Sequence, residues 1–559
     1  MFGMQCLELK ETGGDKKLTT HLECRDIRRP SMIFGQYQYP CRGFCSPGLL
    51  CSDGQAKQSR TLCKKKKSDA SNSKRMVGSK VAMELHLLST DVLRDIFSRI
   101  SLKQAVRMSV LSREWRRLGI CHPDLVFTKD TLFGSDTATS TDPESMTAEF
   151  ITRVDNVLRP LWSTSTTTTT TVDRFVIKFG LGRHQMHHID RWINFCTASM
   201  AKHIGLDLRG RHDFEHPEYI VPLCKLSGPN GSCVKSLHMA DVCLKPPPRF
   251  CGITNLKKLS LHRVSMDAGD LQCLLLSCAR LESLSLDFCP LLSFTMHQQL
   301  CRLKYLSVRE CAVGMIQLQA PNLTTFEFDD CLTQIVLNES SKLSEATFVF
   351  KSSSYNWCVD AFDYILTELP TSIPYVHKLL LHLVIGYQVQ NFSKSNTSFI
   401  NLWHLNLNID ITYDQLDADW VTGLVYLLEL APLLEELELH IECDRSSDAV
   451  PARIVKAAPG PLHRHLRSAH ITGFCDLMGI AELALYILGN ATVLERMVVD
   501  PVVRMDYGYP YTGQFYSVSK AGSSLELAQP SFTEQELHDR EFARKHFDRE
   551  EFLHILTIL

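Results

Sequence analysis

No stretch of this 559-residue chain approaches the roughly eighteen consecutive apolar residues of a membrane-spanning helix, so no such helix is expected. Charge of one sign is also missing. Sixty Lys and Arg face 62 Asp and Glu, a formal net charge of −2, and no whole-protein field points toward nucleic acid or anionic membrane. The opening MFGMQCLELKETGGDKK carries acids and lysines where a signal peptide needs an unbroken apolar run. No phosphate loop of the G-x-x-x-x-G-K-[ST] kind is present, nor G-x-S-x-G, H-E-x-x-H or a dinucleotide fingerprint. A non-catalytic protein without cofactor or metal is therefore expected.

What is present is ample apolar residue, 44%, and 21 cysteines. With no secretory signal, those cysteines are expected as free thiols in a reducing compartment, nuclear or cytoplasmic. The length exceeds one ordinary core and calls for several domains or a repeat array. Residues 1–82 stand apart: sixteen Lys/Arg against seven Asp/Glu, with no sustained apolar period. Such a leader buries too little surface to offset its ordering entropy and is expected to be disordered. Within it Lys64, Lys65, Lys66, Lys67, Lys74 and Arg75 fit a two-part nuclear import signal. Cys41, Cys45, Cys51 and Cys63 lack the paired knuckles of a zinc site.

From Leu87 the pattern turns helical. Val92, Leu93, Ile96, Phe97 and Ile100 form one apolar stripe, with Ser89 or Thr90 as its cap. Ser101 to Gln104 reads as a capping box that opens a second helix, and Ser112 caps a third carrying Trp115 and Leu118. Three short helices of this size bury too little to stand alone, which leaves apolar surface for a partner.

Downstream, beyond a Thr-rich loop at Thr166–Thr171, one phrase recurs: apolar-x-x-apolar-x-apolar. It is clear at Val234/Leu237/Met239, Leu256/Leu259/Leu261, Leu281/Leu284/Leu286, Leu303/Leu306/Val308 and Leu323/Phe326/Phe328. Weaker copies begin at Leu343, Val376, Leu402, Leu434, Leu466 and Leu494, and Cys289, Cys311 and Cys331 follow three of the units. This is the leucine-rich-repeat phrase. Its alternating L-x-L is a strand with one buried face, and only stacked units share a core, so a curved parallel sheet is expected. The stretch 266–279, with Leu271, Leu274, Leu275 and Cys278 on one side, supplies the outer helical wall.

Residues 88–118, LSTDVLRDIFSRISLKQAVRMSVLSREWRRL, resemble the F-box, in the plant form that precedes leucine-rich repeats. Ser89 and Ser101 stand where that family has prolines at helix starts. Residues 462–501 resemble the FBD segment of the same plant proteins and read as strand, loop, helix (Glu482–Leu488) and strand. At the end, Leu553, Ile555, Leu556 and Leu559 are expected to anchor a cap. The expected fold is therefore α/β: an F-box at 84–125, a connecting region at 126–200, degenerate repeats at 201–460, and an FBD-like segment with cap at 461–559.

The resemblance implies a non-catalytic substrate-recruiting subunit of a ubiquitin ligase, bound through a Skp-type adaptor to a cullin–RING assembly. The implied adaptor contacts are Leu88, Val92, Ile96, Leu102, Val106, Val110 and Trp115. An unknown target protein is expected on the concave strand face, where Lys258, Ser260, Glu282, Ser285, Lys304, Ser307, Thr325 and Glu327 are read as projecting. A non-degradative scaffold and a small-molecule-gated receptor subunit remain as alternatives. His184, His187, His188 and Asp190 match no closed metal framework and are read as partly exposed residues ahead of a packing Trp192.

Overall fold

In the computed structural model the chain divides into two units, Met1–Val81 and Ala82–Leu559, and the described residues all belong to the second. They are 89, 92, 95–96, 99–100, 102, 104–105, 122–134, 142–163, 172–210, 219–227, 233–248, 250–351, 359–385, 396–411, 419–443, 462–476, 479–503, 533–547, 552 and 554–559. The leader, with Cys41, Cys45, Cys51, Cys63, Lys64, Lys65, Lys66, Lys67, Lys74 and Arg75, lies outside them.

Each repeat phrase folds as one strand. In chain order the strands are β1 (Asp124–Thr128), β2 (Arg174–Lys178), β3 (His203–Asp207), β4 (Ser236–Ala240), β5 (Lys258–His262) and β6 (Ser283–Asp287). Then come β7 (Phe294–Thr295), β8 (Tyr305–Arg309), β9 (Met315–Gln319), β10 (Thr325–Asp330), β11 (Gln334–Asn338) and β12 (Glu345–Phe350). The last six are β13 (Lys378–Ile385), β14 (His404–Ile411), β15 (Glu436–Cys443), β16 (Ser468–Thr472), β17 (Arg496–Asp500) and β18 (Leu556–Ile558). All but β7, β9 and β11 join one parallel sheet of 15 strands in sequence order, an open, curved α/β solenoid.

The period-2 pattern dictates the layers. In β5, Leu259 and Leu261 are buried while Lys258 is exposed and Ser260 and His262 are partly open. The inward residues of every repeat phrase meet one continuous core, together with the first residue of each phrase. Burying a Leu or Phe side chain stabilises by about 1.5–3 kcal/mol, so the stack is held chiefly by these inward rows.

The connecting region assigned to 126–200 is itself solenoid. β1 and β2 are paired with each other, and β2 with β3, so the sheet begins at Asp124. Val172/Phe175/Ile177 and Ala201/Ile204/Leu206 are all buried and carry the same phrase; helices α1 (Lys129–Phe133) and α2 (Pro143–Ser163) lie between β1 and β2, and α3 (Met186–Ala198) between β2 and β3.

Helices α4 (Leu223–Leu226) and α5 (Ala268–Leu276) continue the outer wall. The latter is capped by Asp267, which accepts from Asp270 N at 2.7 Å, and Leu271, Leu274, Leu275 and Cys278 are buried as expected. The wall then changes. Phrases starting at Leu281, Leu303, Leu323 and Leu343 are only 22, 20 and 20 residues apart. Such short returns leave no room for a helix of several turns, and β7, β9 and β11 form a three-stranded parallel sheet there instead. Longer returns restore helices α6 (Val359–Thr367), α7 (Leu369–Ser372), α8 (Asp419–Glu429) and α9 (Ile480–Asn490).

The segment 462–501, read from sequence as FBD-like, folds as β16, α9 and β17. Gly473 just after β16 holds φ +66, and a Cβ there would meet Ile441 O at 1.9 Å. Only glycine fits. Helix α10 (Glu534–Phe547) buries Ala543 and Phe547, and β18 pairs with β17 as the final strand. Ile555 and Leu556 pack on the core with Phe552 and Ile558. Leu559 is exposed, and Leu553 lies outside the described residues. The cap is therefore anchored by Phe552, Ile555, Leu556 and Ile558 together.

Among the described residues no helix is long and apolar enough to cross a membrane.

Candidate functional site

Two surfaces correspond to the expected docking regions. In the helical module, Val92, Asp95 and Ile96 are helical, as are Leu102, Gln104 and Ala105. Ser89 Oγ accepts from Val92 N at 3.4 Å, so this serine caps the helix start in place of a proline. Val92 is 45% exposed and Ile96 is partly open. Leu102, expected as an adaptor contact, is placed in the chain's own core. Leu88, Val106, Val110 and Trp115 lie outside the described residues.

His122 ties the module to the solenoid. Its Nε2 lies 3.0 Å from Ile100 O, while Nδ1 accepts from Asp124 N at 3.1 Å, the first residue of β1. Both ring nitrogens are thus used at the junction.

The second surface is the open face of the sheet, formed by outward residues in registered rows. One row runs His238, Ser260, Ser285, Ser307, Glu327, Thr347, Leu380, Asn406, Glu438, His470. Ser260, Ser285, Ser307 and Glu327 share it, and Lys258 and Thr325 stand in the row before. Two of these are not accessible as expected: Ser307 is 1% and Glu327 3% exposed. Tyr305 and Arg309 fold over them, Tyr305 Oη donating to Glu327 Oε2 at 2.9 Å and Arg309 bonding the same oxygen. Glu282 and Lys304 fall one residue ahead of β6 and β8, outside the strand face. There Glu282 pairs with Lys257 at 2.8 Å and Lys304 at 3.7 Å.

Along this face ionisable groups are closely interlocked. Asp207 is bonded by Arg209 at 2.6 Å; burial alone would raise its carboxyl, but the guanidinium holds it below the ordinary range. Burial, reinforced by Arg209, pushes the His262 imidazole down to about 4. Burial pushes the Asp287 and Asp329 carboxyls up, against the pull of Arg309 on the first and Lys351 on the second.

Further on, His404 Nε2 lies 3.3 Å from Glu438 Oε1 and His440 Nε2 3.7 Å from Oε2. Asn406 Nδ2 donates to Glu438 Oε2 at 2.8 Å. Burial opposes the charge on Glu438, yet the two imidazoles outweigh it and hold the carboxyl down at about 2. Sequence reading missed this cluster. Its signal was legible in hindsight: His404, Asn406, Glu438, His440 and His470 all occupy outward positions of weaker repeats.

The histidine run behaves as ordinary helix surface. Trp192 is buried with Nε1 donating to Asp155 Oδ1 at 2.9 Å, and Asp190 accepts from Tyr219 Oη at 2.8 Å. Of the repeat cysteines, Cys289 and Cys311 are buried with Sγ 3.6 Å and 3.4 Å from the carbonyls of Leu261 and Leu286. Cys331 is exposed, its backbone N–H donating to Asp330 Oδ1 at 2.8 Å. Asp476, His538 and Asp539 bring ligand-type atoms within 4.8 Å of one another.

A family model described as "At1g61320/AtMIF1, LRR domain" matches residues 169–536. The chain belongs to this family. A second model, the F-box domain, matches residues 85–119, directly ahead of β1. The chain is similar to the F-box/FBD/LRR-repeat protein At1g13570 of Arabidopsis thaliana, 23% identical over 424 residues, covering 74% of this chain and 89% of that one. It is also similar to the putative F-box/FBD/LRR-repeat protein At5g62970 of the same plant, 24% identical over 439 residues, 72% and 90% of the two chains. The protein is thus an F-box/leucine-rich-repeat protein whose relatives carry the FBD name.

Proposed function

We propose that this F-box/leucine-rich-repeat protein is the substrate-recognition subunit of a Skp-cullin-F-box ubiquitin ligase. The F-box match at residues 85–119, with Val92 left 45% exposed on its first helix, carries the reading. Docked on a Skp-type adaptor, the module fixes one end of the solenoid, while the open face holds a target protein. No chemistry is asked of the chain itself. Ubiquitin transfer by an enzyme held elsewhere in the assembly proceeds by proximity, through a raised effective concentration of target lysines. Adaptor contact is assigned to Val92 and Ile96, joined by Leu88, Val106, Val110 and Trp115, and Leu102 supports the module from within.

Co-purification of the full chain with a Skp-type adaptor tests this. Wild type should form a stable complex. Val92→Asp and Ile96→Asp should each weaken it by about tenfold or more, the loss expected when a charge enters an apolar contact. Retention of the complex by both variants, or its absence for the wild type, would overturn the reading.

A further inference from the structure

α10 packs on the turn that follows β16. Gly473 N–H donates to Val502 O and Phe474 N–H to Asp500 O, each at 3.0 Å, which pins the turn to the end of β17. The fully buried Phe474 ring meets Phe542 and Phe547 of α10, with centroids 6.2 and 5.6 Å apart. Turn and helix are thereby locked in mutual position. Asp476, two residues beyond Phe474, is brought beside His538 and Asp539 of the helix.

The buried face of α10 runs Asp539, Ala543, Phe547. A helix turns its core-facing residues inward at that four-residue interval, so an apolar side chain is the ordinary choice at 539. The carboxylate found there is 1% exposed. Burying a carboxylate is costly unless opposite charge meets it. Gln535 Nε2 approaches its Oδ1 at 3.5 Å, the outer limit of a hydrogen bond, and His538 Nδ1 at 3.8 Å. One carboxylate oxygen from each aspartate and one ring nitrogen of His538 all lie within 4.8 Å of one another.

We infer that Asp476, His538 and Asp539 hold a divalent first-row metal ion. Two oxygens and one imidazole nitrogen, completed by water, are donors of the kind that Zn²⁺, Mn²⁺ and Fe²⁺ accept. Ca²⁺ asks for about six to eight oxygens, and Mg²⁺ for oxygen in near-ideal octahedral array. Ligands about 2.0–2.2 Å from one ion stand about 3–3.5 Å apart, a closure that rotation of the exposed Asp476 and His538 side chains supplies. Asp539 is the fixed ligand, and hydrogen bonds to a ligating carboxylate orient it rather than exclude the ion. The ion clips the C-terminal cap to the turn after β16. Its donors come from either side of β17, so no ligand spacing is visible along the chain. The site does not depend on the ligase reading.

Mn²⁺ titration of the full chain, freed of metal with EDTA and desalted, tests it through loss of the free-ion EPR signal. Mn²⁺ is the probe because the exposed cysteines would take Zn²⁺. Asp476→Asn and His538→Gln, both at exposed positions that the fold tolerates, should each weaken one Mn²⁺ site by about tenfold or more. Glu541→Gln with His546→Gln, exposed on the same helix, should change it less than about twofold. With the exposed thiols blocked by iodoacetamide, Zn²⁺ should displace the Mn²⁺ at lower concentration than Mg²⁺ does. At free Mn²⁺ about ten times Kd, amide exchange across α10 should slow by about tenfold in wild type and not in His538→Gln. Mn²⁺ binding that both single variants retain in full, displacement by Mg²⁺ ahead of Zn²⁺, or exchange of α10 indifferent to Mn²⁺ would each overturn the proposal.

Discussion

His404 Nε2 lies 3.3 Å from Glu438 Oε1, a buried imidazole facing a buried carboxylate across two adjacent strands. Because the folded carboxyl is held near 2, below its ordinary 4.5, it contributes stability above pH 4.5 that is lost as pH falls toward 2. Glu438→Gln should therefore be less stable than wild type by roughly 3 kcal/mol near neutral pH, with the gap closing through that acid window. Denaturant unfolding at a series of pH values checks this. A gap that stays constant with pH would rule out the ionised carboxylate as its source.

Asp330 is a second buried acid with a plain structural task. Its carboxylate accepts from Cys311 N at 2.8 Å, Ala312 N at 2.6 Å and Cys331 N at 2.8 Å, closing the turns after β8 and β10. Asp330→Ala strands these donors and should cost about 2–4 kcal/mol in chemical denaturation. Ala312 itself is exposed with φ +52, a region costly to residues bearing a Cβ. Ala312→Gly should stabilise by about 0.5–1 kcal/mol.

In the helical module, core and contact residues separate by truncation. Leu102→Ala should destabilise by about 2–3 kcal/mol, because the residue is buried in the continuous core. Val92→Ala should leave the unfolding midpoint nearly unchanged, within about 0.5 kcal/mol, as expected of an exposed position. Equal losses would mean that Val92 is packed within the chain.

Thiol reactivity should divide along burial. Burial pushes Cys278 up to about 11; Cys311 is raised further by its hydrogen bond with Cys289 and by burial. At about pH 8 iodoacetamide should label Cys224, Cys233, Cys251, Cys301 and Cys331, which are exposed, and spare Cys196, Cys278, Cys289 and Cys311. Peptide mass spectrometry after native labelling reads the pattern.

The repeats were legible because each one repeats a single physical demand, three apolar side chains at fixed spacing in a shared core. Where the returns lengthen, the demand is unchanged but the period is lost. Val172/Phe175/Ile177 and Ala201/Ile204/Leu206 escaped notice for that reason, hidden behind a 21-residue helix and the Thr-rich stretch. The strands β7, β9 and β11 were not read from the sequence, although Ile316/Leu318 and Ile335/Leu337 alternate plainly, because they lie on the short returns between the repeat phrases. Outward positions were the hardest to read. Parity places Glu327 on the open face, but only the folded neighbours Tyr305 and Arg309 decide that it is covered. The histidine–carboxylate group spans strands more than thirty residues apart in sequence, a juxtaposition that register alone creates.

Because every strand of the 15-stranded sheet from β2 to β17 pairs only with its two neighbours in that sheet, the described solenoid has no central element on which the rest depends. Damage to one coil is felt by its two neighbours and fades beyond them. Loosening should thus travel along the stack like a zip opening from an end, and lineages of such proteins can gain, lose or restyle a coil without rebuilding the whole.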